Sequence, residues 1–286
     1  RFENLLLAVV LGLLVLLGVA SASTTFSNTD ELTRHLTLLI GMLGGMAAAR
    51  EGRLLSMGTI AHAMPARWKP AIEAYTGLVA TTVSAVLTLA AWQFVSGEAG
   101  SSSSLAFGVP RIVMQAVMPI GFAFITLRLA RHAGITYTVR AAVLVVAVAL
   151  TVVVSQLDGG IEPIRTPLLV ALAIAILFGA PLFVGLAGIA LIFFISVGDP
   201  IASVPLDHYD QVTNPLLATL PLFTLAGYIV TATGAARRLV RLLQAWTGHL
   251  RGGPAVVTVF ACAFFTAFTG GSGITILALG GLLMPI

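Results

Sequence analysis

Apolar runs follow one another so closely along this sequence that most of the chain must reside in a bilayer. They occupy about 5–25, 36–49, 72–95, 112–127, 141–157, 167–178, 182–197, 216–232, 254–268 and 274–286. Lipid cannot hydrogen-bond a peptide backbone, so only helices and closed barrels cross it. A barrel requires segments of about ten residues with alternating polarity, whereas these runs are continuously apolar. The expectation is an all-α polytopic membrane protein. Composition enters as an exclusion: soluble domains carry about 25% charged residues, while here 58% are hydrophobic and 9% charged, which rules out a water-soluble globular enzyme. About 20 residues cross the hydrocarbon core, so the shorter runs after residue 167 cannot all be simple upright spans.

The few charges are sorted by sign. Arg1, Arg50, Arg53, Arg67, Lys69, Arg128, Arg131, Arg140, Arg237, Arg238, Arg241 and Arg251 make up 12 of the 15 basic residues. They fall at the N-terminus and in the breaks near 50–69, 128–140 and 237–251. The other breaks hold Asp30, Glu31, Glu98, Asp158, Glu162, Asp199, Asp207 and Asp210, eight of the 11 acids, beside only Arg34, Arg111 and Arg165. Basic loops stay cytoplasmic, which places the N-terminus inside and the acidic breaks outside if 167–178 and 182–197 form a down-and-up pair joined at Gly179-Ala180-Pro181. The net +4 is thus an orientation signal. Scattered over separate loops, the arginines make no nucleic-acid face, and no nucleic-acid partner is expected.

Residues 96–106 form an outward Gly/Ser loop, and Asp158, Gly159, Gly160 and Pro163 mark a junction between modules. The resulting division is a four-span bundle over 1–132, a connector helix and junction over 133–165, and a second module over 166–286. The first apolar run lacks the cleavage pattern of a signal peptide and reads as an anchor. The chain starts at Arg1 and stops inside an apolar run at Met284-Pro285-Ile286, so a fragment of a longer protein is expected. A lone Cys262 allows no disulfide within the chain.

Several motifs carry local structure. Ser27-Asn28-Thr29-Asp30-Glu31 has the capping residue and acidic first turn of a helix start, or offers an outer docking site. Gly41 and Gly45, four apart, allow close helix packing. The segments Glu51–Trp68 and Gly234–His249 both read as amphipathic helices at the cytoplasmic membrane surface, in contact with lipid. His35, His62, His132, His208 and His249 all lie at or near breaks, whereas haem ligation needs histidines facing one another inside the bundle.

The stretch Gly252–Ile286 is the most informative for function. Two short apolar arms flank Thr269-Gly270-Gly271-Ser272-Gly273. The pattern fits a re-entrant hairpin over 254–286 with its tip near mid-membrane, and equally a kink in one long helix. Non-helical backbone at that depth is tolerated where it lines a cavity, and it frees carbonyls for a cation while the next helix N-terminus offers N–H groups to an anion. Thr269, Ser272 and Thr275 add hydroxyl oxygens. No Asp or Glu lies well inside an apolar run, and proton-driven carriers usually hold a titrating group there. A cation such as sodium is the better expectation, with Thr269 and Ser272 as its side-chain ligands. No cofactor is expected. The same tip matches the G-x-S-G turn of intramembrane serine proteases, which also need a histidine base on a neighbouring span; none sits mid-membrane before Ser272. A non-transporting membrane scaffold is a third reading.

The stretch from Pro215 to Gly227, then Thr233-Gly234-Ala235-Ala236-Arg237-Arg238-Leu239-Val240, Gly248-His249-Leu250-Arg251-Gly252-Gly253 and the Gly/Ser tip, resembles the start of the large (M-type) membrane subunit of TRAP transporters, the tripartite ATP-independent periplasmic carriers. Asp30-Glu31-Leu32-Thr33-Arg34 and Ala49-Arg50-Glu51-Gly52-Arg53 resemble the small (Q-type) subunit. The resemblance implies a fused, C-terminally truncated permease in the bacterial inner membrane, with 141–157 as the fusion connector. It implies sodium-coupled uptake of a carboxylated solute, such as a C4-dicarboxylate or sialic acid, delivered by a periplasmic solute-binding protein, through an elevator motion and not an enzymatic reaction. It further implies that Thr269, Gly270, Gly271, Ser272, Gly273 and Thr275 belong to a sodium- and substrate-binding hairpin tip. Family tips often read Ser-Gly-Ser-Ser where this chain has Thr-Gly-Gly-Ser.

Overall fold

The computed structural model describes residues 2–22, 29–58, 64–100, 105, 108–134, 136–156, 161–217, 219–247 and 252–269. Every regular element among them is helical: α1 (Phe2–Ala22), α2 (Thr29–Glu51), a 3-10 turn (Ala66–Trp68), α3 (Lys69–Glu98), α4 (Arg111–Gln115), α5 (Val117–His132), α6 (Tyr137–Ser155), α7 (Glu162–Leu177), α8 (Leu182–Val197), α9 (Ser203–Val212), α10 (Thr219–Ala232), α11 (Ala235–Thr247) and α12 (Gly253–Thr269). Two compact units result, Arg1–Thr213 and Asn214–Ile286.

In the first unit four segments are long and apolar enough to cross a membrane: Glu31–Glu51, Ala66–Glu98, Arg111–His132 and Tyr137–Ser155. The second apolar run is lengthened into a span because the polar turn Thr29–His35 is also helical. The fourth is broken at Ala116, between α4 and α5. Pro119 causes this break, since it has no N–H to give the carbonyl three to four residues back. Helices α7 and α8, of 16 residues each, reach only about 24 Å, less than a core of about 30 Å. They pack together as an antiparallel pair. Leu186, Val145, Val148 and Val152 lie on the outer surface, more than half exposed. Apolar side chains so placed suit a lipid solvent.

The central element is α3, which packs against α5, α6, α7, α8 and α9. Its inward face sets small residues, Ala80, Thr81, Ser84, Ala90 and Ala91, almost wholly buried, beside the larger Val86, Leu87, Phe94 and Val95. Backbones separated by the small residues approach closely, which drives helix association where lipid removes the hydrophobic incentive.

One expectation is corrected. The segment expected as a surface helix over Glu51–Trp68 is not helical over residues 53–58: α2 stops at Glu51, and Gly52 takes a left-handed φ of +64°. Ser56 bridges Pro181, and the Leu182 N–H donates to the Leu55 carbonyl over 2.8 Å. Pairing with the α7–α8 turn satisfies the backbone that a helix would have satisfied internally. Gly179 makes this approach possible, with φ +105° and the Gly58 backbone where a side chain would sit. The break around 199–210 contains a helix, α9, which buries Val204, Pro205 and Tyr209.

In the second unit α10, α11 and α12 pack on one another, and Val240, Val257, Ala261 and Phe265 form the core. The segment expected as a surface helix at 235–249 is α11, whose Val240 is buried while Arg238, Arg241, Leu242 and Trp246 are exposed.

A Cβ added at Gly77 of α3 would stand 2.4 Å from the Ala133 Cβ and 2.6 Å from its Cα. Gly77→Val is expected to destabilise the unit by about 1–3 kcal/mol through overpacking, seen as a lower midpoint in thermal unfolding of the purified full-length protein.

Candidate functional site

The arm that leads to the Gly/Ser tip is α12. Gly252, with φ +87°, turns the chain sharply, and its carbonyl accepts the first N–H bonds, from Ala255 at 3.0 Å and Val256 at 3.2 Å. The described part of the helix has 17 residues, about 25 Å. Val257, Ala261 and Phe265 recur at every fourth residue on its inner face, closed by Val240, Leu239 and Leu243 of α11. Thr269 is the last described residue of this helix. Gly270, Gly271, Ser272, Gly273 and Thr275 lie outside the described residues, as does the second arm. Among the described residues no three His, Cys, Asp or Glu side chains gather as metal ligands.

The first unit holds two polar clusters, at opposite ends of α2. At the end bearing Glu31, the His35 ring is buried between α2 and α9. Its Nδ1 lies 2.8 Å from the Glu31 carbonyl, which can only accept, so Nδ1 carries the proton. In the neutral ring Nε2 then accepts from the Tyr209 hydroxyl, 2.7 Å away. Phe94 of α3 closes the Tyr209 ring from another side. Burial pushes the Tyr209 phenol up to about 12, with Asp210, Glu98 and Glu31 pushing the same way and Arg111 opposing. Nearby, Arg111 pairs with Glu31 at 3.9 Å, and buried Gln115 donates to Glu98 at 3.5 Å while its Oε1 has no partner.

At the opposite end Glu3 is held between two arginines. Arg50 Nη1 reaches its carboxylate at 3.2 Å and Arg50 Nη2 reaches Asn4 at 2.8 Å. Arg128 pairs with Glu3 as well, donates to the Met46 carbonyl at 2.5 Å, and lies over the Phe124 ring. Each charge suits its helix end, the acid at the start of α1 and the arginines near the ends of α2 and α5.

Sequence reading placed the charges in breaks but missed these partners. His35 and Tyr209 had one local signal each: His35 sits one turn after Glu31, and Tyr209 falls on the helical face with Val204 and Pro205. Tyr209→Phe would strip Nε2 of its donor, at a cost of about 1–3 kcal/mol for a buried unsatisfied group. The pair His35→Phe/Tyr209→Phe is expected to regain much of that loss in thermal unfolding, because both polar partners are gone. The raised phenol carries a sign: its folded value lies above the ordinary value of about 10, so its stabilisation is complete below pH 10 and disappears as pH rises through about 12. In tyrosinate absorbance the phenol that titrates near 12 should be missing in Tyr209→Phe.

Two family descriptions match the chain in succession. Residues 7–138 match "Tripartite ATP-independent periplasmic transporters, DctQ component" and residues 169–286 match "Tripartite ATP-independent periplasmic transporter, DctM component". The isethionate TRAP transporter permease protein DctMQ of Oleidesulfovibrio alaskensis is 27% identical over 273 residues, 90% of this chain and 41% of that protein. The C4-dicarboxylate TRAP transporter large permease protein DctM of Pseudomonas aeruginosa is 36% identical over 98 residues, 34% of this chain and 23% of that protein. The ectoine TRAP transporter large permease protein TeaC of Halomonas elongata is 32% identical over 130 residues, 42% of this chain and 29% of that protein. The chain therefore spans about two fifths of the fused relative and roughly a quarter of the large permeases. On these matches the chain belongs to the TRAP transporter family of multi-pass inner-membrane permeases, with a DctQ part fused to a partial DctM part.

Proposed function

We propose that this chain is the membrane permease part of a sodium-coupled importer for small organic solutes bearing an anionic group, delivered by a periplasmic solute-binding protein. The observation that carries this reading is the succession of DctQ and DctM matches along one chain, at 7–138 and 169–286. The relatives' names include isethionate, C4-dicarboxylates and ectoine. These share an acidic group, and a carboxylate such as a C4-dicarboxylate or sialic acid fits the same chemistry.

In this reading residues 1–132 form the small-subunit scaffold, which helps dock the binding protein at its acidic outer face. Residues 133–165 are the fusion connector, and 166–286 begin the large subunit, with a re-entrant hairpin over 254–286 in the moving elevator unit. The tip residues Thr269, Gly270, Gly271, Ser272, Gly273 and Thr275 hold sodium through carbonyl and hydroxyl oxygens, Thr269 and Ser272 giving the side-chain ligands. Freed helix N–H groups there suit an anionic solute. Support comes from the Gly/Ser break that follows the apolar α12 in the sequence and from the absence of a carboxylate in α12. Neutral oxygens suit a hard monovalent cation without the proton competition that a carboxylate brings.

Proteoliposomes with the full-length permease and its binding protein should take up solute on a sodium gradient. Thr269→Ala/Ser272→Ala should lower uptake at least tenfold, most strongly at low sodium. Equal uptake in potassium defeats the sodium assignment. Absence of any uptake favours a non-transporting scaffold, and labelling of Ser272 by a fluorophosphonate favours a serine protease.

A further inference from the structure

A lateral groove of about 810 Å³ opens between α3, α5 and α6 in the first unit. Trp92, Ile120, Leu127, Val148 and Val152 line it and are each at least 40% exposed, so it faces the lipid and not the protein interior. Its polar lining atoms need no water. The hydroxyls of Thr88, Thr126 and Thr151 each donate to the carbonyl one turn back, at 2.8 Å in all three cases. A site whose hydroxyls are already satisfied accepts hydrocarbon at no cost in broken hydrogen bonds. Along α5 the lining runs from Ala116 to Leu127, about 17 Å, roughly the depth of one leaflet of a core of about 30 Å.

The two ends of the groove differ in charge. Residues four apart share a helix face, so the stripe through Leu127 continues to Arg131, and the stripe through Leu144 of α6 begins at Arg140. Arg140 is fixed in place: its Nε donates to the Gly134 carbonyl at 2.7 Å and its guanidinium lies 5.4 Å from the Tyr137 ring centre, which leaves its Nη groups for a ligand. The ion pairs among the described residues use Arg50, Arg53, Arg111, Arg128 and Arg165, so neither Arg131 nor Arg140 has a carboxylate partner there. At the other end α3 terminates in Glu98, which repels a phosphate.

The geometry points to a binding site for an anionic phospholipid of the cytoplasmic leaflet, its acyl chain in the α3–α5–α6 groove and its phosphate held by Arg131 and Arg140. The leaflet follows from the orientation in which basic breaks face inward. Transport itself is not assumed. Arginine's planar fork suits phosphate, and two guanidinium groups favour a net negative headgroup over a zwitterionic one. The ligand would tie α6 to the bundle along the side that protein leaves open.

Native mass spectrometry of the full-length protein, with phosphatidylglycerol and phosphatidylethanolamine of matched chains added in equal amounts, tests this. The wild type should retain phosphatidylglycerol at least fivefold over phosphatidylethanolamine. Arg131→Gln/Arg140→Gln should bring that ratio to about one, while Arg131→Lys/Arg140→Lys keeps most of it. Ala123→Phe, which fills the groove, should remove the retained lipid of both classes; if that variant does not fold, the Gln and Lys pairs still decide. A wild-type ratio near one, or a ratio unchanged in the Gln pair, overturns the proposal. So does efficient disulfide formation between two copies carrying Val148→Cys, since a second copy would then occupy the groove.

Discussion

In lipid, where no hydrophobic effect draws one helix to another, association depends on how closely backbones can approach, and in the first unit that approach is made along α3. This helix packs against α5, α6, α7, α8 and α9, and its Gly77 lies against the backbone of Ala133 just past the end of α5. Bulky residues fill the core, among them Val86 and Leu87 of α3 with Leu191 and Ile195 of α8, while Leu186 of α8 and Val145, Val148 and Val152 of α6 are turned outward. Bulk thus lies both between the helices and on the outer surface, and the small residues mark where backbones come closest. The same packing explains why α7, α8 and α9 belong to the same compact unit as the helices before them: α3 is long enough to serve both sets.

Polar contacts fix the ends of this packing. Glu3, Arg50 and Arg128 tie α1, α2 and α5 together at one end; His35 and Tyr209 tie α2 to α9 at the other. The strand-like pairing of Leu55 with Leu182 joins the loop after α2 to the α7–α8 turn. These ties agree with an antiparallel course of the chain. The end of α2 and the α7–α8 turn share one end of the unit, and the start of α2 shares the other with α9. Arg128 is the most buried of the paired arginines, 13% exposed at its side chain, and its charge is tolerable there because Glu3 and the Met46 carbonyl meet it. Truncating Glu3 would be harsher than removing the whole cluster, since it leaves a buried cation unpaired.

What was legible in the sequence is what lipid enforces on any chain. Continuous apolar runs become helices because nothing else satisfies their backbone, and α3, α6, α8 and α12 fall close to the runs that foretold them. The amphipathic α11 was legible for a similar reason, its arginines and apolar residues alternating with the helical period. Elements set by distant partners were not legible. Residues 53–58 have a composition that suits a surface helix, yet they pair with a turn far along the chain. Helix α9 mixes Asp207, His208 and Asp210 with Val204 and Tyr209, so its helical face emerges only once His35 and Phe94 are beside it. For the candidate tip, sequence remains the source for Gly270–Gly273, while the structure supplies the arm that leads there.

The two units divide their chemistry differently. The first puts its ionic groups at helix ends, where water and headgroups share their solvation, and several of its hydroxyls, those of Thr88, Thr126 and Thr151 among them, bond to the carbonyl one turn back. The second unit is smaller and has a core of four buried residues between α11 and α12, with no ion pair contributing to that core. Val257, Ala261 and Phe265 of α12 meet α11 through apolar contacts, which are non-directional, whereas the ion pairs and the His35–Tyr209 hydrogen bond of the first unit fix direction as well as distance.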